Sequence, residues 1–162
     1  MIRHLYLAVV LLAGCASDSP EAEPPPPDPL EGRWAERIDF ASRDGALTVL
    51  SHIDSFAGPT IGVGGDASPH AIAFRTVLAE PDASDLFADL IDRGEPAGQL
   101  YGLAGLKLTA PAAYERELPR FLVNSEWIET AEGCVVSDGT VGDVAREIAE
   151  GRIVADLATA PS

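Results

Sequence analysis

The sequence predicts a mainly α domain of short antiparallel helical hairpins, either stacked or gathered into a small irregular bundle. Three observations carry that expectation. Apolar residues recur at spacings of three and four along most of the chain after residue 30. Prolines stand where helices begin, with starts near residues 69, 82, 96 and 111. Alternation of the β type is scarce.

Taken in order, Trp34 and Ile38 share a helical face, and Leu47, Leu50 and Ile53 follow with Phe56 next. These suggest one or two helices broken near Asp44-Gly45. A glycine-rich stretch from Gly58-Pro59 to Gly65 reads as a loop, and Ser68-Pro69 is a good cap and first turn for a helix. Pro81-Asp82 introduces the next helix, with Leu86, Phe87, Leu90 and Ile91 on one face and Gly94 at its end. Residues 97–108 are apolar or small except for Gln99 and Lys107, the pattern of a buried helix. Gly98, Gly102 and Gly105 each cost about 1 kcal/mol against alanine there, so the close approach of a neighbouring backbone is expected. Pro111 starts a further helix aligned on Tyr114, Leu118, Phe121 and Leu122, with Pro119 bending or ending it. After a less regular stretch, Thr140 caps a short helix closed by Gly151. Val135-Val136 could form a short strand, but the β signal is too small to predict a sheet.

The rhythm of about fourteen residues per helix resembles, in architecture alone, the HEAT-type α-hairpin repeats. Those repeats run to about 40 residues, and no two copies align within this chain.

The first fifteen residues have a separate logic. Arg3 precedes an apolar run over residues 5–12, shorter than the roughly 20 residues a membrane-spanning helix needs. A basic start, an apolar core and small residues before a cut site make a secretory signal peptide of residues 1–14. Leu12-Ala13-Gly14-Cys15 resembles the lipobox of bacterial lipoproteins. That resemblance implies a diacylglyceryl group on the Cys15 thiol, cleavage between Gly14 and Cys15, and acylation of the new amine. Each buried methylene adds about 0.8 kcal/mol of membrane affinity, so two or three acyl chains hold firmly. Residues 15–29 then read as the lipidated cysteine followed by an acidic tether, whose prolines 24–27 favour an extended chain at about 3.1 Å per residue. The helical domain is expected over 30–158, with a disordered tail at 159–162. Ala16 is not aspartate, which by resemblance to the sorting rule of enteric bacteria points to the periplasmic face of the outer membrane.

Lipidation of Cys15 would leave Cys134 without a disulfide partner, and Gly133-Cys134-Val135-Val136 suggests a buried thiol. Without residues 1–14 the chain has ten Lys/Arg against 26 Asp/Glu, a formal charge of −16, with Lys107 its one lysine. Such a surface repels nucleic acid.

Candidate chemistry is sparse. Residues 62–67, Gly-Val-Gly-Gly-Asp-Ala, satisfy a relaxed dinucleotide pattern, but Thr60-Ile61 is a poor strand and Asp66 would face a pyrophosphate. His52 and His70 have no Cys or His at zinc-ligand spacing, and no glycine-flanked serine elbow or serine–lysine pair occurs. No catalytic residue, metal or cofactor is therefore expected. Arg75, Tyr101, Arg116, Arg120 and Trp127 could anchor a partner, although Tyr101 and Trp127 fit a core as well. The expected function is a non-enzymatic envelope lipoprotein, held to the membrane by lipid at Cys15 and contacting another envelope protein. The alternative is a small-ligand carrier or sensor with a pocket beside residues 97–108.

Overall fold

The computed structural model describes residues 39–62 and 64–159. Its elements run α1 (Arg43–His52), β1 (Ser55–Ile61), β2 (Asp66–Ala67), α2 (Pro69–Leu78), α3 (Ala83–Arg93), α4 (Pro96–Thr109), α5 (Pro111–Leu122), β3 (Trp127–Gly133), β4 (Val135–Thr140), α6 (Val141–Glu150) and α7 (Arg152–Thr159). The domain is mainly α, and it also contains a four-stranded mixed sheet in the order β2-β1-β3-β4. This sheet contradicts the expectation that the β signal is too small for one. β1 and β3 are parallel, joined by a crossover of four helices, while β2 and β4 are antiparallel to their neighbours.

Local chemistry sets the helix ends. Ser42 accepts from the Gly45 N–H, so Asp44-Gly45 lies in the first turn of α1 and does not break it. Ser68 is wholly buried: its Oγ accepts the Ala71 N–H and donates to the Gly58 carbonyl at 2.8 Å, tying α2 to β1. Thr140 and Asp143 exchange side-chain-to-backbone bonds in a capping box, and Gly151 ends α6 at a φ of 91°. Pro119 sits inside α5, which continues to Leu122. α7 is an amphipathic helix that the periodicity reading passed over; it buries Val154 and Leu157.

The core gathers round α4, nine of whose residues are buried. A Cβ on Gly98 would overlap the Leu50 backbone carbonyl, and one on Gly102 would lie 2.7 Å from the Phe87 carbonyl. The Phe87 ring itself occupies the space beside Gly105. The expected backbone approach is thus made by α1 at Gly98 and by α3 at Gly102, whereas at Gly105 a side chain fills the space. Lys107 closes the other end, with its ammonium donating to the Ile148 and Ala149 carbonyls at 2.6 and 2.7 Å. A cation at the exposed carbonyls of α6 is favourable both as donor and as a charge on the helix dipole.

Tyr101 joins this helix to the sheet. Its ring stacks on Phe56 with centroids 4.5 Å apart, and Phe74 approaches at 6.2 Å. The hydroxyl accepts the Ala57 N–H at 3.0 Å and donates to the Ala57 carbonyl at 2.6 Å. β2 pairs only with Thr60 and Ile61, so the phenol does at Ala57 what a longer strand would do. Burial holds the phenol protonated well above its ordinary range, which keeps the donor in place.

Tyr101→Phe leaves the Ala57 N–H and C=O buried and unpaired, and is expected to lower the unfolding free energy by about 2–5 kcal/mol. Gly98→Ala is expected to cost about 1–3 kcal/mol by overpacking against the α1 backbone. Urea denaturation followed by circular dichroism measures both, and an unchanged midpoint for Tyr101→Phe would contradict the role given to the hydroxyl.

Candidate interaction site

The β3–β4 hairpin holds the largest concentration of exposed apolar side chains in the described residues: Trp127 is 73% exposed, Val135 63% and Val136 62%. Six consecutive residue pairs join the strands without a register break, from Trp127↔Thr140 to Glu132↔Val135. Gly133, at a φ of 58°, and Cys134 make the two-residue turn. A glycine at the first turn position matches the strand twist, and the following residue projects to solvent. Cys134 is therefore exposed and free, correcting the expectation of a buried thiol.

Strand alternation sorts the hairpin into two faces. Ile128, Thr130, Glu132, Val135 and Ser137 share the face carrying Phe56, and the helices cover this face only at Ile128 and Phe56. The rest lines an open cleft of about 690 Å³ between the sheet and α6–α7, bordered by Asp143, Glu147, Arg152 and Asp156. Trp127, Glu129, Ala131, Val136 and Asp138 occupy the outer face, where Glu129 and Asp138 are directly opposite. Like charges opposed across a strand pair are unfavourable. Residues 121–145 contain five carboxylates and no Lys or Arg, but Asp143 is paired with Arg146 and Arg152 borders the cleft, so it is the outer face, with Glu129 opposite Asp138, that suits a cationic group.

The other residues singled out from the sequence are dispersed. Cys15 and Gly14 lie outside the described residues. His52 is exposed at the end of α1 and near Ser51. Arg116 and Arg120 are exposed on α5, with Arg120 paired to Glu117. Arg75 is half-buried on α2, and Tyr101 is in the core. Of the five candidate anchors, only Trp127 lies on the hairpin, and it is not a core residue. Of residues 58–65, expected as a loop, 58–61 belong to β1, and Gly62 and Gly65, at φ of 73° and 68°, turn the chain into β2. This is a strand-to-strand turn, whereas a pyrophosphate loop leads directly from a parallel strand into a helix. Among the described residues no group of three or more His, Cys, Asp and Glu could hold a metal ion, and no helix is long and apolar enough to cross a membrane.

The hairpin was missed because its alternation buries little. One signal was available: Gly133-Cys134 between Thr130-Ala131-Glu132 and Val135-Val136 is a glycine-first two-residue turn between short strand-like runs. No family model matches this chain, and no curated protein or solved structure matches it.

His70 supplies a test of the packing beside β1. Its ring meets the Tyr101 ring edge-on at 6.0 Å, and its Nδ1 is buried without a hydrogen-bond partner. Burial holds the imidazole below its ordinary value, with Asp54 pulling the other way. The unfolded ring takes up its proton near pH about 6.5 and the folded ring only at lower pH. Stability is therefore fully present above about 6.5 and falls as the pH drops through that value towards the folded one. The urea midpoint is expected to decline between pH about 7.5 and about 5.5, with a flatter profile in His70→Gln. Parallel profiles would remove His70 as the cause.

Proposed function

We propose that this chain is a bacterial envelope lipoprotein, cleaved between Gly14 and Cys15 and anchored by lipid at Cys15, whose helical domain engages another envelope protein. The domain architecture in this reading is an irregular bundle rather than a HEAT-type stack, since a sheet interrupts the succession of helices. The observation that carries the interaction reading is the exposure of Trp127 and Val136 on the outer face of a regular hairpin, with Val135 exposed on its other face. Exposed tryptophan and valine lose apolar hydration when covered, and tryptophan is enriched at the centres of protein interfaces. The domain acts as a binding module without catalysis in this reading, and residues 15–29 hold it clear of the bilayer at the periplasmic face of the outer membrane.

A small-ligand carrier is the second reading, and the cleft favours it, because about 690 Å³ falls within the range of ligand sites. It lies between the sheet and α6–α7, not beside α4 as the sequence reading had placed it.

Metabolic labelling with a fatty-acid probe is expected to mark the wild-type chain and to lose the mark in Cys15→Ser; a label that survives the change would sink the anchor. A photo-crosslinking amino acid at position 127 is expected to capture a discrete envelope protein in cells. Capture of lipid and abundant bystanders alone would overturn the interaction reading, and a small molecule retained in native mass spectrometry would favour the carrier.

A further inference from the structure

The two edges of the sheet are not alike. β2 is two residues long and pairs at two positions, so it offers little backbone to a newcomer. β4 runs for six residues in unbroken register with β3. Exposed edges are ordinarily blunted by charged side chains, proline or a bulge; β4 has no proline and no bulge, and Asp138 is its one charge.

The phase of the ladder shows which groups it exposes. The Val141 N–H donates to the Glu126 carbonyl at 3.0 Å, immediately beyond the Trp127↔Thr140 pair. Bonded and non-bonded pairs alternate along an antiparallel ladder, so Gly139, Ser137 and Val135 bond to β3, while Val136, Asp138 and Thr140 turn their N–H and C=O groups outward. The Thr140 N–H is taken by the Asp143 carboxylate at 3.2 Å. Val136 and Asp138 are left with outward amides and carbonyls in register with each other, and both residues are exposed.

Charge selects the partner. Asp138 faces Glu129 in a non-bonded pair, the kind in which side chains come closest. A strand added to β4 places one of its side chains beside Asp138 and the neighbour on the same face beside Val136. A basic residue at the first position relieves the Glu129–Asp138 repulsion, and an apolar one at the second extends the surface of Val136 and Ala131. A second copy of this chain would bring its own Asp138 and Glu129, and no base from β4, against the first pair.

Resting on the interaction reading above, we infer that β4 is a strand-addition site for an extended, basic segment of a partner protein. That segment adds as a fifth strand through the outward Val136 and Asp138 backbone groups, with Lys or Arg opposite Asp138. Main-chain bonds supply the affinity in this mode, and side-chain pockets on alternate positions supply the selectivity.

The test titrates the purified full-length chain, in detergent micelles, into the fluorescent peptide Lys-Thr-Val-Thr-Lys-Thr-Val-Thr-Lys, whose Lys and Val alternate along one strand face, and follows anisotropy. Binding is expected, weakening with added salt. It is expected to drop about tenfold when two internal valines of the peptide become proline, which keeps the charge and removes N–H donors. Asp138→Lys and Val136→Pro in the chain should each lower affinity about tenfold. Asp92→Lys, the same charge change on an exposed face of α3, should lower it less than threefold. Thermal melts identify a Val136→Pro chain that fails to fold, in which case Asp138→Lys against Asp92→Lys decides. Equal losses from the two lysine variants, undiminished binding of the proline peptide, binding of the same peptide with Glu in place of every Lys, no binding, or self-association in sedimentation that Asp138→Lys abolishes would each overturn the inference. A partner crosslinked at position 127 without peptide binding would defeat this inference alone, whereas the absence of any crosslinked partner would defeat the reading beneath it.

Discussion

The phenol of Tyr101 spans 44 residues of sequence to hold the backbone of β1, and the arrangement of the domain follows from that link. A buried amide and carbonyl must be paired, and at Ala57 neither β2 nor a helix backbone is there to do it. A hydroxyl that accepts and donates at once solves both problems from one side chain. It can do so because α4 lies at the centre of the helical layer. α4 reaches the centre because Gly98 and Gly102 remove the side chains that would hold off the backbones of α1 and α3. The aromatic contacts with Phe56 and Phe74 then seat the ring that carries the hydroxyl.

The same arrangement explains why the rest of the sheet is open. With β1 sealed by Tyr101 and Ser68, burial is concentrated at that side. β3 buries Ile128 among its side chains, and β4 buries none. The outlying hairpin therefore depends on its ladder, its glycine turn and the Thr140–Asp143 cap for its shape. Such a hairpin tolerates exposed valines and opposed carboxylates at some cost in stability. In the proposed reading that cost is recovered when a cationic strand covers them. Burial and binding thus divide the sheet between them: the β1 side is structural and the β4 side is available.

The helical part of this fold was legible and the sheet was not. Caps at Ser68 and Thr140, the stop at Gly151 and the close approach at Gly98 and Gly102 each follow from the chemistry of a few adjacent residues. β1 has Gly58-Pro59 in its middle, which argues against a strand, and the structure accommodates them with a register shift between Ala57 and Ile61. β3 and β4 show little apolar alternation because only one of their side chains is buried. Cys134 was expected to be buried and Trp127 was left open for a related reason: residue type suggests burial, but a turn position and a strand end beyond the core expose whatever stands there.

By itself the sequence determined the helix boundaries set by caps and prolines, the strong negative charge, and the linear motif around Cys15 on which the proposed anchor rests. All of these depend on neighbours within a few residues or on composition alone. Only the tertiary structure decided that Tyr101 would serve as a strand's partner, that Gly58-Pro59 would lie in a sheet, and that Val136 and Asp138 would turn their backbone outward. Those outcomes depend on contacts between residues far apart in sequence. Pairing register and burial emerge only once the elements have packed.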